Sequence, residues 1–103
     1  GRVITYLWKL KAEIFAAFGR TEDACDLLQS AIENAEATGE LFLLWRLHAS
    51  LGKLHRIMGH QDAAKREFAA ARELIDELDA TIPDETLKEN FRQGAYSVLR
   101  TPL

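Results

Sequence analysis

The chain of 103 residues predicts an all-α fold of five helices, arranged as two hairpins and a closing helix. Three observations predict it. Ala and Leu supply 15 residues each, whereas Val and Pro supply two each, a composition that favours helix over sheet. Turn signals interrupt the chain at four places. Between them, apolar residues recur at steps of three and four, the spacing of one helix face.

The elements follow in order. The first helix ends at Phe18-Gly19-Arg20. Thr21 is a candidate N-cap for the second, with Glu22 and Asp23 beside the positive end of its dipole. That helix carries the stripe Ala24, Leu28, Ala31, Ala35 and stops at Thr38-Gly39, where Gly39 suits a left-handed cap. The third, Leu41 to Met58, is apolar on more than one face: Leu44, Trp45, Leu47, Leu51 and Leu54 cannot share one stripe. It is therefore expected at the centre. It ends at Gly59. The fourth carries Ala64, Phe68, Ala71, Ile75 and Leu78 and stops before Pro83. Asp84 is placed to cap the fifth, whose stripe is Leu87, Phe91, Ala95 and Val98, and Pro102 stops it near Leu99.

Composition also excludes. A net charge of −3 argues against a nucleic-acid binder, and no apolar run is long enough to span a bilayer. One Cys excludes a disulfide framework and a Cys-based zinc site. No signal peptide is visible, and the chain opens on Gly-Arg, so a piece of a larger cytoplasmic protein is expected.

Gly19 and Gly59 are forty residues apart. The same offset superposes Leu7 on Leu47, Ala12 on Gly52, Ala24 on Ala64, Leu28 on Phe68, Ala31 on Ala71 and Glu33 on Glu73. Both copies read helix, Gly turn, helix. A hairpin cannot bury both faces alone, so copies stack.

This pattern resembles the tetratricopeptide repeat (TPR) family. Trp8, Ala12, Phe15, Gly19, Ala24, Leu28 and Ala31 fall at the family's signature spacing in the first copy. Leu51, Gly52, Gly59, Ala64, Phe68 and Ala71 do so in the second. Small residues at 12, 24, 52 and 64 let paired helices approach closely. The departures are His48 where the family favours Trp, His55 where it favours Tyr, a missing closing Pro, and a period of forty rather than thirty-four. The resemblance implies a right-handed stack: one repeat over about 3–38, a second over about 41–80, and a capping helix over about 84–100. Residues 71–95 are also similar to the C-terminal end of TPR arrays in large bacterial multi-domain regulators. It further implies a non-catalytic protein–protein interaction module whose first helix in each pair lines a concave groove.

Charge is segregated to match. Residues 1–20 and 41–60 each carry a net of +3, whereas residues 21–40 hold six acids and no base. By the family's groove spacing, Tyr6, Lys9 and Glu13 face inward from the first copy, joined by Arg46, Ala49, Lys53 and Arg56 from the second. Such a groove suits an acidic peptide or a carboxylate. Two other readings stand beside it. The basic and acidic helices neutralise each other across the hairpin, or the segment caps or oligomerises a longer array and binds nothing itself. Val3, Ile4, Leu7, Trp8, Leu10 and Ile14 make the first helix apolar on more than one side, which predicts a homodimer through it.

Catalytic and metal chemistry find little support. His48 and His55 share a face but stand two turns, roughly 10 Å, apart, and no HExxH occurs. They are expected packed or hydrogen-bonded, and His60 solvated. Cys25 sits between acids, which disfavour a thiolate. Glu22, Asp23 and Asp26 read as dipole complements rather than a cation site. Neither cofactor nor metal is expected, and a small helical-bundle enzyme is the remote alternative.

Overall fold

The structure is a computed structural model and describes residues 2–103, with side chains from residue 4 onward, so the apolar Val3 side chain lies outside the described residues. It contains α1 (Arg2–Ala17), α2 (Thr21–Thr38), α3 (Leu41–Ile57), α4 (Gln61–Ala80) and α5 (Glu85–Arg100), and no strand among the described residues. Each helix packs on the next in sequence, and α1 also reaches α3.

Three helices end in the same way, because a Gly supplies a left-handed residue that other side chains resist. Gly19 has φ 80° and Gly59 φ 81°. Around Gly19, the Gly19 N–H donates to Ala16 O (3.0 Å) and the Arg20 N–H to Phe15 O (2.8 Å). Around Gly59, the Gly59 N–H donates to Arg56 O (3.1 Å) and the His60 N–H to His55 O (2.8 Å). The Gly39 turn closes with the same pair of bonds, to Glu36 O and Ala35 O, so this geometry marks each glycine helix end rather than the forty-residue repeat. Asp84 caps α5 as expected, accepting from the Leu87 N–H at 2.9 Å. Thr21 does not cap α2. Arg20 holds the N-cap position without a side-chain hydrogen bond, and Thr21 is the first helical residue.

The core has two parts that meet on α3. Leu44, Leu47, Leu51 and Leu54 pack with Ala12 of α1 and with Ala24, Leu28, Ala31, Ile32 and Ala35 of α2. Trp45 and Ala49, from another side of α3, join Ala71, Ile75 and Leu78 of α4 and Ala95 and Leu99 of α5. The expected central position of α3 is therefore observed. Alternate small and large residues interdigitate, and Gly52 lies against the Phe68 ring.

Sequence reading missed a buried polar link at the other end of the hairpins. The Asn34 amide donates to the Thr5 hydroxyl, which donates to Glu40 Oε2 at 3.3 Å. Thr38 donates to the same carboxylate. This ties α1 to the α2–α3 turn through side chains that carry no apolar periodicity.

On the opposite side of α1, Ile4, Leu7, Ile14 and Phe18 stand exposed in a row. Of the residues on which the expected self-association rests, Ile4, Leu7, Leu10 and Ile14 are exposed, whereas Trp8 packs against the core.

Candidate functional site

Of the seven expected groove residues, Lys9, Glu13, Lys53 and Arg56 come together, whereas Tyr6, Arg46 and Ala49 do not. Lys9 and Glu13, one turn apart on α1, form an ion pair. Lys53 lies within reach of the charges of Lys9, Glu13 and Arg56. Arg46 is instead spread over the Trp45 ring at 5.0 Å. Tyr6 is exposed on α1, and no contact among the described residues ties it to the others.

The α3 stripe does not run open along its length. Ala49, between Arg46 and Lys53, is 1% exposed and sits in the cluster that Ala95 and Leu99 of α5 complete. Phe91 of α5 adds edge-on contacts to Phe42 (5.7 Å) and Trp45 (6.4 Å). The fifth helix thus covers the middle of the stripe, and its last residue and the segment after it, Arg100 to Leu103, reach the C-terminal end.

At that end, Lys53 is 7% exposed. Burying an ammonium is costly unless it is paired. Its one hydrogen bond among the described residues is long, donated to Thr101 Oγ1 at 3.4 Å, just past the end of α5. No ion pair among the described residues includes Lys53, because Lys9 occupies Glu13. Burial pushes the Lys53 pKa below the ordinary lysine value, Arg56 and Lys9 push it the same way, and Glu13 opposes. Lys53, Arg56, Ile57, Arg100, Pro102 and Leu103 line a depression there. The arrangement is a partly desolvated cation with further cations around it, which favours a negatively charged group.

The other titratable candidates resolve differently. His48 Nδ1 lies 2.6 Å from Glu67 Oε2 across the α3–α4 pair, as a packed, hydrogen-bonded His would. His55 Nδ1 is buried with no hydrogen-bond partner among the described residues, and burial lowers its pKa. Burial raises the Cys25 pKa, with Asp26 and Glu22 adding to the effect, so the thiol is held protonated rather than activated. Among the described residues no three His, Cys, Asp or Glu side chains converge where a metal ion could sit. No helix among them is long and apolar enough to cross a membrane.

Arg100 was not among the expected site residues. The repeat offset does not extend to α5, so nothing in the forty-residue pattern brings it next to Lys53. The one available signal was a basic residue in the last turn of a helix that ends beside the α3 C-terminus. No protein family, curated protein or solved structure matches the chain.

Proposed function

We propose that the chain is a non-catalytic protein-interaction module of TPR-like design within a larger cytoplasmic protein. Its hairpins stack in a right-handed sense, and it holds an acidic segment of a protein partner against Lys9, Lys53 and Arg56. The stacking is supported by a small residue at a helix crossing, Gly52 against the Phe68 ring. The binding reading is carried by one observation, the mostly buried Lys53 side chain, whose partly desolvated ammonium has no ion-pair partner among the described residues. The Lys9–Glu13 pair lies within α1, so neutralisation across the hairpin accounts neither for it nor for Lys53.

The test uses a synthetic Glu- and Asp-rich peptide and the variant Lys53→Met. Met keeps the length of the side chain and removes the buried charge, so the folding midpoint should stay or rise. Peptide affinity should fall on the order of tenfold, and the parent's affinity should weaken as salt rises. Arg46→Glu, away from the cluster, should have a smaller effect. A Lys53→Met protein that binds as the parent does would overturn the reading.

The exposed row on α1 favours a second reading, in which this face packs on a neighbouring hairpin or a second copy. Light scattering separates the two cases. Self-association at about tens of micromolar, lost in Leu7→Glu, supports it, and a monomer under those conditions counts against a homodimer.

A further inference from the structure

The depression beside Lys53 has a neighbour lined by Arg56, Phe68, Arg72, Tyr96, Leu99 and Arg100. Arg56 and Arg100 stand in the walls of both. With Lys53 and Arg72, that makes four cationic side chains and no acidic side chain along the two walls; Glu89 shares only an adjoining depression with Arg100 and Tyr96. No ion pair among the described residues engages any of the four. The Arg56 guanidinium lies over the Phe68 ring at 4.8 Å. A stacked guanidinium keeps its edge donors free for an oxyanion. Asp76, one turn beyond Arg72 on α4, is already engaged, accepting from the Tyr96 hydroxyl at 2.9 Å and pairing with Arg92 at 3.7 Å.

One effect opposes an anion here. Arg56 and Arg100 sit in the last turns of α3 and α5, whose C-termini each present about −0.5 charge. Four cations exceed these two ends by about three charges, so the local balance remains positive. A carboxylate, with one charge and two oxygens, would compensate only part of it. A phosphomonoester brings roughly −2 and three acceptor oxygens, which matches several guanidinium forks at once. Phe68, Tyr96 and Leu99 offer apolar surface to the carbon skeleton that carries it.

We propose that the paired depressions around Arg56 and Arg100 form a phosphomonoester site, with Lys53, Arg56, Arg72 and Arg100 as its donors and a phosphorylated side chain of the protein partner as its ligand. The inference rests on the groove reading, since it shares Lys53 and Arg56, and it names the group that anchors the partner's segment.

The experiment compares four probes: inorganic phosphate, a phosphoserine peptide, the same peptide unphosphorylated, and the Glu- and Asp-rich peptide. The readouts are affinity and the NMR signals of the arginine Nε–H groups. Phosphorylation should tighten peptide binding about tenfold or more, with saturable shifts at Arg56, Arg72 and Arg100. Arg72→Gln and Arg100→Gln, both at exposed positions, should each lose about fivefold for the phosphopeptide and little for the acidic peptide. Equal affinity for the two serine peptides, or a phosphopeptide indifferent to Arg72→Gln, overturns the proposal. Shifts with inorganic phosphate but no gain for the phosphopeptide assign the site to free phosphate and overturn the peptide-borne ligand. If the acidic peptide binds and neither phosphate probe does, this inference fails alone. If none of the probes binds, the groove reading fails with it.

Discussion

Replacing Trp45 with Ala should destabilise the protein by about 3–5 kcal/mol, the largest effect of any single truncation in the chain. Trp45 is 2% exposed and is the largest of the fully buried side chains. It fills the space where α3, α4 and α5 meet, with Phe91 edge-on to its ring. Removing it takes away transfer free energy and leaves a cavity that three helices from one rigid cluster cannot close completely. Its Nε1 is buried without a hydrogen-bond partner among the described residues. Trp45→Phe, which removes that polar atom together with less volume, should therefore cost clearly less than Trp45→Ala. Because α5 is tied to the other helices mainly through this cluster, its amides should lose hydrogen-exchange protection first in the Ala variant. Chemical denaturation gives the magnitude. A loss below about 1 kcal/mol would mean that α5 is not held through Trp45.

Gly52→Leu should cost about 1–3 kcal/mol by the opposite route, overpacking. A Cβ at Gly52 would lie 3.1 Å from Phe68 Cζ and 3.2 Å from Cε1 and Cε2. Ala at this position gains about 1 kcal/mol of helix propensity and sets it against a ring that must give way by a few tenths of an ångström. Leu adds three further carbons in the same direction, while the Arg56 guanidinium lies over the Phe68 ring. The strain should therefore reach the binding end as well, and acidic-peptide affinity should fall together with the midpoint. An unchanged midpoint would remove the close helix crossing, and with it the physical basis for reading Gly52 as a repeat-signature position.

The helices were legible because each boundary is written in local chemistry. The αL glycines Gly19, Gly39 and Gly59 and the Asp84 cap depend on the few residues around them. The central place of α3 was legible for a related reason: Leu44, Trp45, Leu47 and Leu51 cannot all face one neighbour, and the structure divides them between two clusters. What the sequence did not disclose concerns pairs distant along the chain. Ala49 shares its stripe with Arg46 and Lys53, and helical periodicity treats the three alike. Only the docking of Ala95 and Leu99 buries Ala49, and only the chain beyond α5 brings Thr101 to Lys53. The link from Thr5 to Glu40 was hidden because polar side chains leave no mark on an apolar pattern. Thr21 was misplaced by one position, since Thr is favoured at N-caps yet the turn places Arg20 there.

On the proposed reading, Lys53 is a mostly buried cation that pairs with an acid supplied by the partner. Burial, then Arg56 and Lys9, lower its pKa in the folded chain. Between that value and the ordinary lysine value, the unfolded chain therefore binds more protons, and stability rises with pH across the window; below it both states are protonated and the cost of burial is fully present. The most direct measurement is an NMR titration of the Lys53 side chain, free and saturated with the Glu- and Asp-rich peptide. On that reading the free pKa lies below that of ordinary lysines and rises when the peptide binds, because a carboxylate then pairs with the ammonium. A Lys53 that titrates like an exposed lysine, or whose pKa does not move when the peptide is bound, would contradict it.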